Sequence, residues 1–186
     1  MNDLQYSSNI ILENEQLDID TLSTDSNSSI ILPNKLSIKN KILLRSLDDF
    51  YSDLNNFNIL SEYIIKKKIS LRIIDWFVTN YSKKYNSVIN NNFIIFLEYK
   101  SQLKAYTKKI FDPFCRRDRI IRYYHNTKIN TTLGQLNFFK WAIKNNLLCH
   151  IVKNISLIEK DMTVKNDTHS QIKLNKNHIQ VRISFD

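Results

Sequence analysis

The feature that most limits how this chain can fold is its near lack of glycine: Gly134 is the single glycine in 186 residues, beside two prolines. β-Sandwiches and barrels need repeated tight turns, which depend on both residue types. A glycine-rich phosphate loop of the P-loop or Rossmann kind is excluded for the same reason. With 42% hydrophobic residues the chain can still build a core. We therefore predict an α+β fold that is mainly α-helical, a compact helical domain with a minor short-strand component.

Composition divides the chain into three parts. Residues 1–36 are an acidic arm that we expect to be disordered, 37–162 a helical core domain, and 163–186 a polar tail. Residues 1–34 contain six acids and no Lys or Arg, so the other 152 residues carry 27 basic against 12 acidic side chains, a net charge of +15. The arm is either a solvated tail or an autoinhibitory segment that covers a basic surface as a phosphate mimic. In the tail, apolar and polar residues alternate over 179–185, which predicts an edge strand.

Apolar residues spaced by three and four predict the helices of the core domain. Ser70 and Thr132 are predicted N-caps, and Gln135 completes a capping box with Thr132. The predicted helices cover 37–55, 59–65, 71–84, 132–147 and 151–162. A short β-prone run at 120–124 precedes His125-Asn126, a pair that suits a turn. The apolar run 93–97 is either a buried strand or the start of a longer helix.

The chain concentrates its basic chemistry in residues 97–124, which hold eight Lys or Arg, three acids and six aromatics. Three lysines spaced by four form one cationic stripe if this segment is a helix, which Asp112-Pro113 would end. Cations neutralise phosphates, and aromatic faces stack bases. The predicted phosphate contacts are Lys100, Lys104, Lys108, Arg116, Arg117, Arg119 and Arg122. The predicted stacking faces are Tyr106, Tyr123 and Tyr124, with the alternative that these rings belong to the core.

Other site chemistries have weaker support in the sequence. Glu98 and Lys100 would share one face of a strand, and with Asp75 they outline a magnesium-dependent nuclease, which we keep as a distant alternative. Cys115 with His125 is a further pair that could serve as nucleophile and base, against the simpler reading of a buried, inert cysteine. The spacing of the cysteines and histidines matches no zinc motif. We therefore predict no catalytic residue, no metal ligand and no cofactor.

Two cysteines are too few for a disulfide framework, which indicates a reducing compartment. No apolar run approaches the roughly 20 residues of a membrane span, so we predict none.

Four segments together resemble a family of uncharacterised proteins from nucleocytoplasmic large DNA viruses, the giant viruses. They are SLRIIDWFVTNYSKK at 70–84, YKSQLKAYTKKIFDPFCRR at 99–117, RDRIIRYY at 117–124 and TTLGQLNFFKWAIKNNLL at 131–148. The resemblance covers residues 37–162. It implies a viral protein of the host cytoplasm, in the viral factory, or of the virion, and it brings no catalytic residues with it.

These observations favour a non-enzymatic basic protein that binds nucleic acid, DNA or RNA, through the surface at 100–124. No recognition-helix motif is present, so we expect phosphate-directed binding that is independent of sequence. The alternative is a structural or protein-interaction component of the virion whose basic face meets an acidic viral protein.

Overall fold

The computed structural model describes residues 36–89 and 92–164. These residues form seven helices and two antiparallel strand pairs, so the fold is mainly α with a minor β component, as predicted. The acidic arm, except Leu36, and the predicted edge strand in the tail lie outside this part of the chain. The helices are α1 (Ile38–Tyr51), α2 (Leu54–Ile64), α3 (Leu71–Trp76, continued by a π-helical turn at Phe77–Tyr81 and by Ser82–Lys84), α4 (Ile95–Ala105), α5 (Leu133–Lys144), α6 (Leu147–Lys153) and α7 (155–164). The strands are β1 (Val88–Ile89), β2 (Phe93–Ile94), β3 (Arg119–Tyr124) and β4 (Thr127–Thr132).

Side-chain caps begin four of the helices. Ser37, Asp53, Ser70 and Thr132 each accept a hydrogen bond from a backbone N–H of the first turn that follows. Such caps satisfy donors that have no partner within the helix. The N-caps predicted at Ser70 and Thr132 are confirmed.

The predicted last helix, 151–162, begins in the wrong place, because Asn154 separates α6 (Leu147–Lys153) from α7 (155–164). Two other predicted helix ends are also wrong. The first helix was predicted to cover 37–55, but α1 ends at Tyr51, and Asn55 and Asn56 both lie in α2. Asp53 is the reason, since its carboxylate accepts from the N–H of Asn56 at 2.9 Å and starts a new helix. The second error concerns the basic segment: α4 ends at Ala105, well before Asp112-Pro113.

The hairpin β3–β4 turns at His125-Asn126, as the sequence predicts. Both turn residues have positive φ, 48° and 61°, and strand residues Tyr124 and Thr127 are paired directly. Two residues of positive φ define the type I′ turn that matches the twist of a two-residue hairpin, and Asn tolerates this conformation well. Thr132 ends β4 and is at the same time the N-cap of α5, so the hairpin leads directly into that helix.

Helix α5 is the most enclosed element. Every residue from Leu133 to Phe139 is buried, and so are Trp141 and Ala142. Helices α1, α2 and α6 all pack against α5. The hydroxyl of Tyr51 in α1 donates to the carbonyl oxygen of Leu136 at 2.7 Å, which satisfies a polar group inside this core.

The start of α5 also holds the loop that precedes β3. The predicted capping box forms only in half, because Gln135 does not reach back to the backbone of Thr132. Its amide instead donates to the carbonyl of Pro113 at 2.9 Å and accepts from the hydroxyl of Thr131 at 2.8 Å. Gly134 lies against the same loop, where an added Cβ would be 3.1 Å from the carbonyl oxygen of Lys109. The single glycine therefore permits a close approach of two backbones.

Helix α7 is attached to α3 through one carboxylate. Asp161 accepts hydrogen bonds from the indole of Trp76 and the hydroxyl of Tyr85, both at 3.1 Å, and from the ammonium of Lys84. Burial opposes ionisation of Asp161, but these donors outweigh it and lower the pKa of its carboxyl. None of the helices in 36–89 and 92–164 combines the length and apolarity required to cross a bilayer.

Candidate nucleic-acid interface

The predicted cationic stripe is shorter than expected. Lys100 and Lys104 lie one turn apart on α4 and are exposed, but Tyr106 already has extended backbone angles, φ −125° and ψ 126°. Lys108 therefore lies in the loop after α4 and not on the helix. The three lysines do not form a single helical row, although all three remain exposed.

Two of the predicted arginine contacts are bound to carboxylates of the fold. The guanidinium of Arg122 donates from Nε to Asp48 Oδ1 at 3.0 Å and from a terminal nitrogen to Oδ2, a bidentate pair between β3 and α1. Arg116 donates to both oxygens of Asp112, at 3.3 and 3.2 Å, and lies over the ring of Phe114. The side chain of Arg122 is 27% exposed and that of Arg116 is 64% exposed, so only Arg116 stays open to solvent.

The three predicted stacking tyrosines differ in exposure. Tyr124 is buried and donates to Asp48 at 2.6 Å, so it belongs to the core and is not a stacking face. Burial is the largest cause that raises its pKa, followed by the hydrogen bond to that carboxylate. Tyr106 is half-buried and stacks on Phe111, with ring planes at 15°. Tyr123, at 57% exposed, has the most open ring of the three.

Arg117 and Arg119 complete the predicted set. Arg117 is exposed and lines a small crevice together with Leu36 and Lys109. Arg119 is half-buried, and its Nε is buried without a hydrogen-bond partner among the described residues. Lys109, which the prediction left out, is 3.8 Å from the carboxylate of Asp118.

A groove between α3 and α4 is lined by three of the exposed lysines, two of which lie over an aromatic ring. Its volume is about 270 Å³, and its walls are Thr79, Lys83, Phe96, Tyr99, Lys100, Leu103 and Lys108. The ammonium groups of Lys83 and Lys100 lie 5.6 and 5.7 Å from the centroid of the half-buried Phe96 ring. Within the described residues, none of the three groove lysines is in a salt bridge.

The α3 wall of the groove is irregular. Thr79 lies in the π-helical turn, and its hydroxyl donates to the carbonyl of Asp75 at 2.7 Å. Single π turns within α-helices occur often at functional sites because they alter the spacing of the side chains around them. This irregular helix places Thr79 and Lys83 on the same groove.

The buried Tyr99 lines the groove, and two nearby carboxylates act on it. Burial raises the pKa of Tyr99 to about 12, with further contributions from the charges of Asp75 and Asp112. Burial and the neighbouring Asp112 also raise the pKa of Asp75, while Arg116 and Lys108 act in the opposite direction. The groove therefore has protonated tyrosine at its floor and ammonium groups at its rim, which suits an anionic ligand.

The residues named for the enzyme alternatives are not arranged as those alternatives require. Glu98 and Lys100 lie on helix α4 and not on the strand that the nuclease alternative required. Burial raises the pKa of the Cys115 thiol and Arg119 lowers it by less, a balance that disfavours a reactive thiolate. Between residues 36 and 164, as far as they are described, no group of three or more His, Cys, Asp or Glu side chains is arranged to hold a metal ion.

Lys83 and Phe96 were missed by the sequence reasoning. Phe96 and Lys100 are four residues apart, so the pair is recognisable once α4 is known to begin at Ile95. The run 93–97 was ambiguous between strand and helix, and both occur in it: Phe93–Ile94 is strand and Ile95 begins the helix. Lys83 comes from a different helix, and no local signal connects it with Phe96.

Comparison with known proteins places the chain among giant-virus sequences. It is 39% identical over 138 residues to an uncharacterised protein, L507, of Acanthamoeba polyphaga mimivirus. The alignment covers 63% of this chain and 53% of the mimivirus protein, so the chain matches about half the length of that relative. No solved structure matches. A family of unknown function, DUF7197, matches residues 16–184. The chain therefore belongs to this family, as its resemblance to uncharacterised giant-virus proteins indicates.

Proposed function

We propose that this protein binds nucleic acid without sequence preference, through the groove between α3 and α4 and the exposed cations beside it. The observation that carries the proposal is the set of three groove lysines that are unpaired with acids of the described residues, two of which lie over the half-buried Phe96. A net charge of +9 on the whole chain adds long-range attraction for phosphate backbones. Such binding is suited to a protein of the viral factory or of the virion.

The contacts of this proposal differ from those predicted. Lys100, Lys104, Lys108 and Arg117 keep their role because each is exposed, and Lys83 joins them. Arg122 leaves the set because its guanidinium is occupied by Asp48. Arg116 is an auxiliary contact, since releasing it from Asp112 would offset part of the gain from binding a phosphate.

Phe96 gives the groove a preference for single strands. An aromatic face can stack an unpaired base for about 1–3 kcal/mol, whereas the bases of a duplex are not free to stack on a side chain. Groove lysines on both α3 and α4 can follow the backbone on either side of that base. We therefore expect single-stranded DNA or RNA to bind more tightly than a duplex of equal length.

The test is a fluorescence anisotropy titration of a labelled oligonucleotide with two triple variants of equal charge. The first is Lys83→Gln, Lys100→Gln, Lys108→Gln. Each lost phosphate contact on a single strand lowers the slope of log K against log salt by about 0.7, so three contacts lower it by about 2. We expect at least a tenfold weaker affinity at 50 mM salt.

The matched control is Lys66→Gln, Lys153→Gln, Lys160→Gln, three exposed lysines outside the groove and outside the salt bridges of the described residues. It removes the same net charge but should change the salt slope by less than half as much. Equal losses of affinity in both triple variants would show that binding depends on net charge and not on the groove. Absence of binding of both long and short single strands by the unaltered protein at 50 mM salt would refute the function itself.

Phe96→Leu provides an independent test because it keeps an apolar side chain while it removes the ring. It should weaken single-strand binding about tenfold and leave duplex binding unchanged. An equal loss for both ligands would show that Phe96 acts only through packing.

A protein-interaction role in the virion is the second candidate, and exposed apolar side chains favour it. Val88 and Ile94 are paired across the β1–β2 hairpin and are 41% and 39% exposed, and Leu97 in the first turn of α4 is 58% exposed. Exposed apolar groups gathered in one region are typical of protein contacts. Leu97→Ser with Ile94→Ser should abolish copurification of a viral partner if this surface holds one, while oligonucleotide binding stays intact.

A further inference from the structure

The first described residue of the chain lies beside the cationic surface. Leu36 packs on the core and lines a small crevice with Lys109, Ile110, Arg117 and other residues. Lys108, one residue before Lys109, lines the groove. Adjacent Cα atoms are about 3.8 Å apart, so Leu36, where the described chain begins, lies next to the proposed binding surface.

The charge of that segment is complementary to the surface. Five of its six acids lie between Glu13 and Asp25, and residues 1–34 have no basic side chain. Asp25 precedes Leu36 by 11 residues, and a chain of that length spans at most about 40 Å. The nearest acid can therefore reach Lys104, Lys108 and Arg117. A short tether of this kind gives an effective concentration on the order of millimolar, far above that of a free competitor.

We propose that the acidic segment 13–25 binds the cationic surface at Lys104, Lys108, Lys109 and Arg117 and competes with nucleic acid for it. This inference rests on the proposed function and adds its regulation. Carboxylates on the segment take the places of phosphates, so a long strand that engages the whole groove displaces it, whereas a short oligonucleotide competes poorly. Rising salt weakens both interactions, because each is a contact between exposed charges.

The first experiment maps the segment in the full chain without nucleic acid. A carbodiimide joins carboxylates to neighbouring lysines by amide bonds, and mass spectrometry identifies the linked residues. We expect the acids of 13–25 to link to Lys104, Lys108 and Lys109 at least fivefold more than to Lys66 and Lys153, which are exposed elsewhere. Equal linking to all five lysines would overturn the proposal.

The second experiment measures binding of a short single-stranded oligonucleotide by a full-length variant without the five charges: Glu13→Gln, Glu15→Gln, Asp18→Asn, Asp20→Asn and Asp25→Asn. If the segment covers the surface nine-tenths of the time, its release raises the apparent affinity about tenfold. The control keeps the charge, with Asp18→Glu, Asp20→Glu and Asp25→Glu, and should bind as the unaltered protein does. An unchanged affinity in the neutral variant would contradict the competition.

The two proposals fail in different ways. If the segment links to the predicted lysines but no oligonucleotide binds in either variant, the contact exists and the nucleic-acid function is wrong. If oligonucleotide binds with equal affinity in both variants and the links are unselective, the function remains and the regulation is wrong.

Discussion

Arg122 offers the sharpest test of the difference between a cation that binds a ligand and one that holds the fold. We predict that Arg122→Gln destabilises the protein while nucleic-acid affinity is unchanged. The pair joins β3 to α1, and each of its side chains is about a quarter exposed, 27% for Arg122 and 25% for Asp48. Tyr124 donates to the same carboxylate, so Asp48 keeps one partner after the substitution.

The magnitude follows from this partial burial. Fully exposed ion pairs contribute about 0–1 kcal/mol, and breaking a fully buried pair costs about 3–5 kcal/mol. A bidentate pair at one-quarter exposure lies between these limits, so we expect a loss of about 2 kcal/mol. For a chain of this size that loss lowers Tm by about 4–8 °C. Lys109→Gln is the comparison, because both side chains of its pair with Asp118 are open to solvent, at 66% and 42% exposed, and its loss should cost less than 1 kcal/mol.

Urea denaturation followed by circular dichroism measures both values, and an unchanged m-value shows that the midpoint reports stability. A double-mutant cycle with Asp48→Asn isolates the coupling, for which we expect at least 1 kcal/mol. The assignment of Arg122 to the fold is refuted if Arg122→Gln costs no more than Lys109→Gln. It is refuted in a second way if Arg122→Gln weakens oligonucleotide binding as much as the groove triple does.

Three further predictions concern the loop against α5 and the groove floor. Gln135→Ala should cost about 2–4 kcal/mol in urea denaturation because it leaves the buried hydroxyl of Thr131 and the carbonyl of Pro113 without a partner; a cost below 1 kcal/mol would mean that water replaces the amide. Gly134→Ala should destabilise the protein by at least 1 kcal/mol in the same assay, because the added Cβ would lie 3.1 Å from the backbone of Lys109. The higher helix propensity of Ala acts in the opposite direction, so a gain in stability would show that this backbone moves away. The pKa of Tyr99 is about 12, against about 10 when unfolded, so its contribution to stability is complete below pH 10 and declines as the pH rises to about 12. Tyr99→Phe should reduce this decline when denaturation is measured as a function of pH. If stability falls equally in Tyr99→Phe and in the unaltered protein, the decline does not come from Tyr99.

Local signals in the sequence predicted several element starts that depend on local contacts, although the equally local cap at Asp53 was missed. The caps at Ser70 and Thr132 lie two and three residues from the N–H groups that they accept from, so the short sequence around each is sufficient. The turn at His125-Asn126 is equally local, since it requires only two residues that tolerate positive φ.

Long-range contacts explain why the helix end in the basic segment was predicted wrongly. Nothing in residues 97–112 by itself stops the helix at Ala105. The chain leaves the helix there because the loop that follows is held by α5: Asn137 donates to the carbonyl of Ile110 at 2.9 Å, and Asp112 donates its N–H to the carbonyl of Gly134. These partners are more than 20 residues away, so propensity within the segment could not reveal them.

The same distinction between local and long-range contacts applies to the basic side chains. The sequence identified a basic, aromatic segment correctly, but it could not tell which cations were already paired. Asp48 is 74 residues from Arg122, and Lys83 belongs to a different helix from Phe96. The family of the chain could be recognised from its segments, whereas the composition of the groove could not.

The sequence by itself determined the class of fold, the caps, the hairpin turn and the excess of positive charge, because each depends on residue type or on neighbours within a few positions. The tertiary structure alone decided where α4 ends, which arginines are neutralised, and which lysines surround Phe96. These properties arise when segments far apart in the chain come into contact, and the free energy of those contacts is absent until the core has formed.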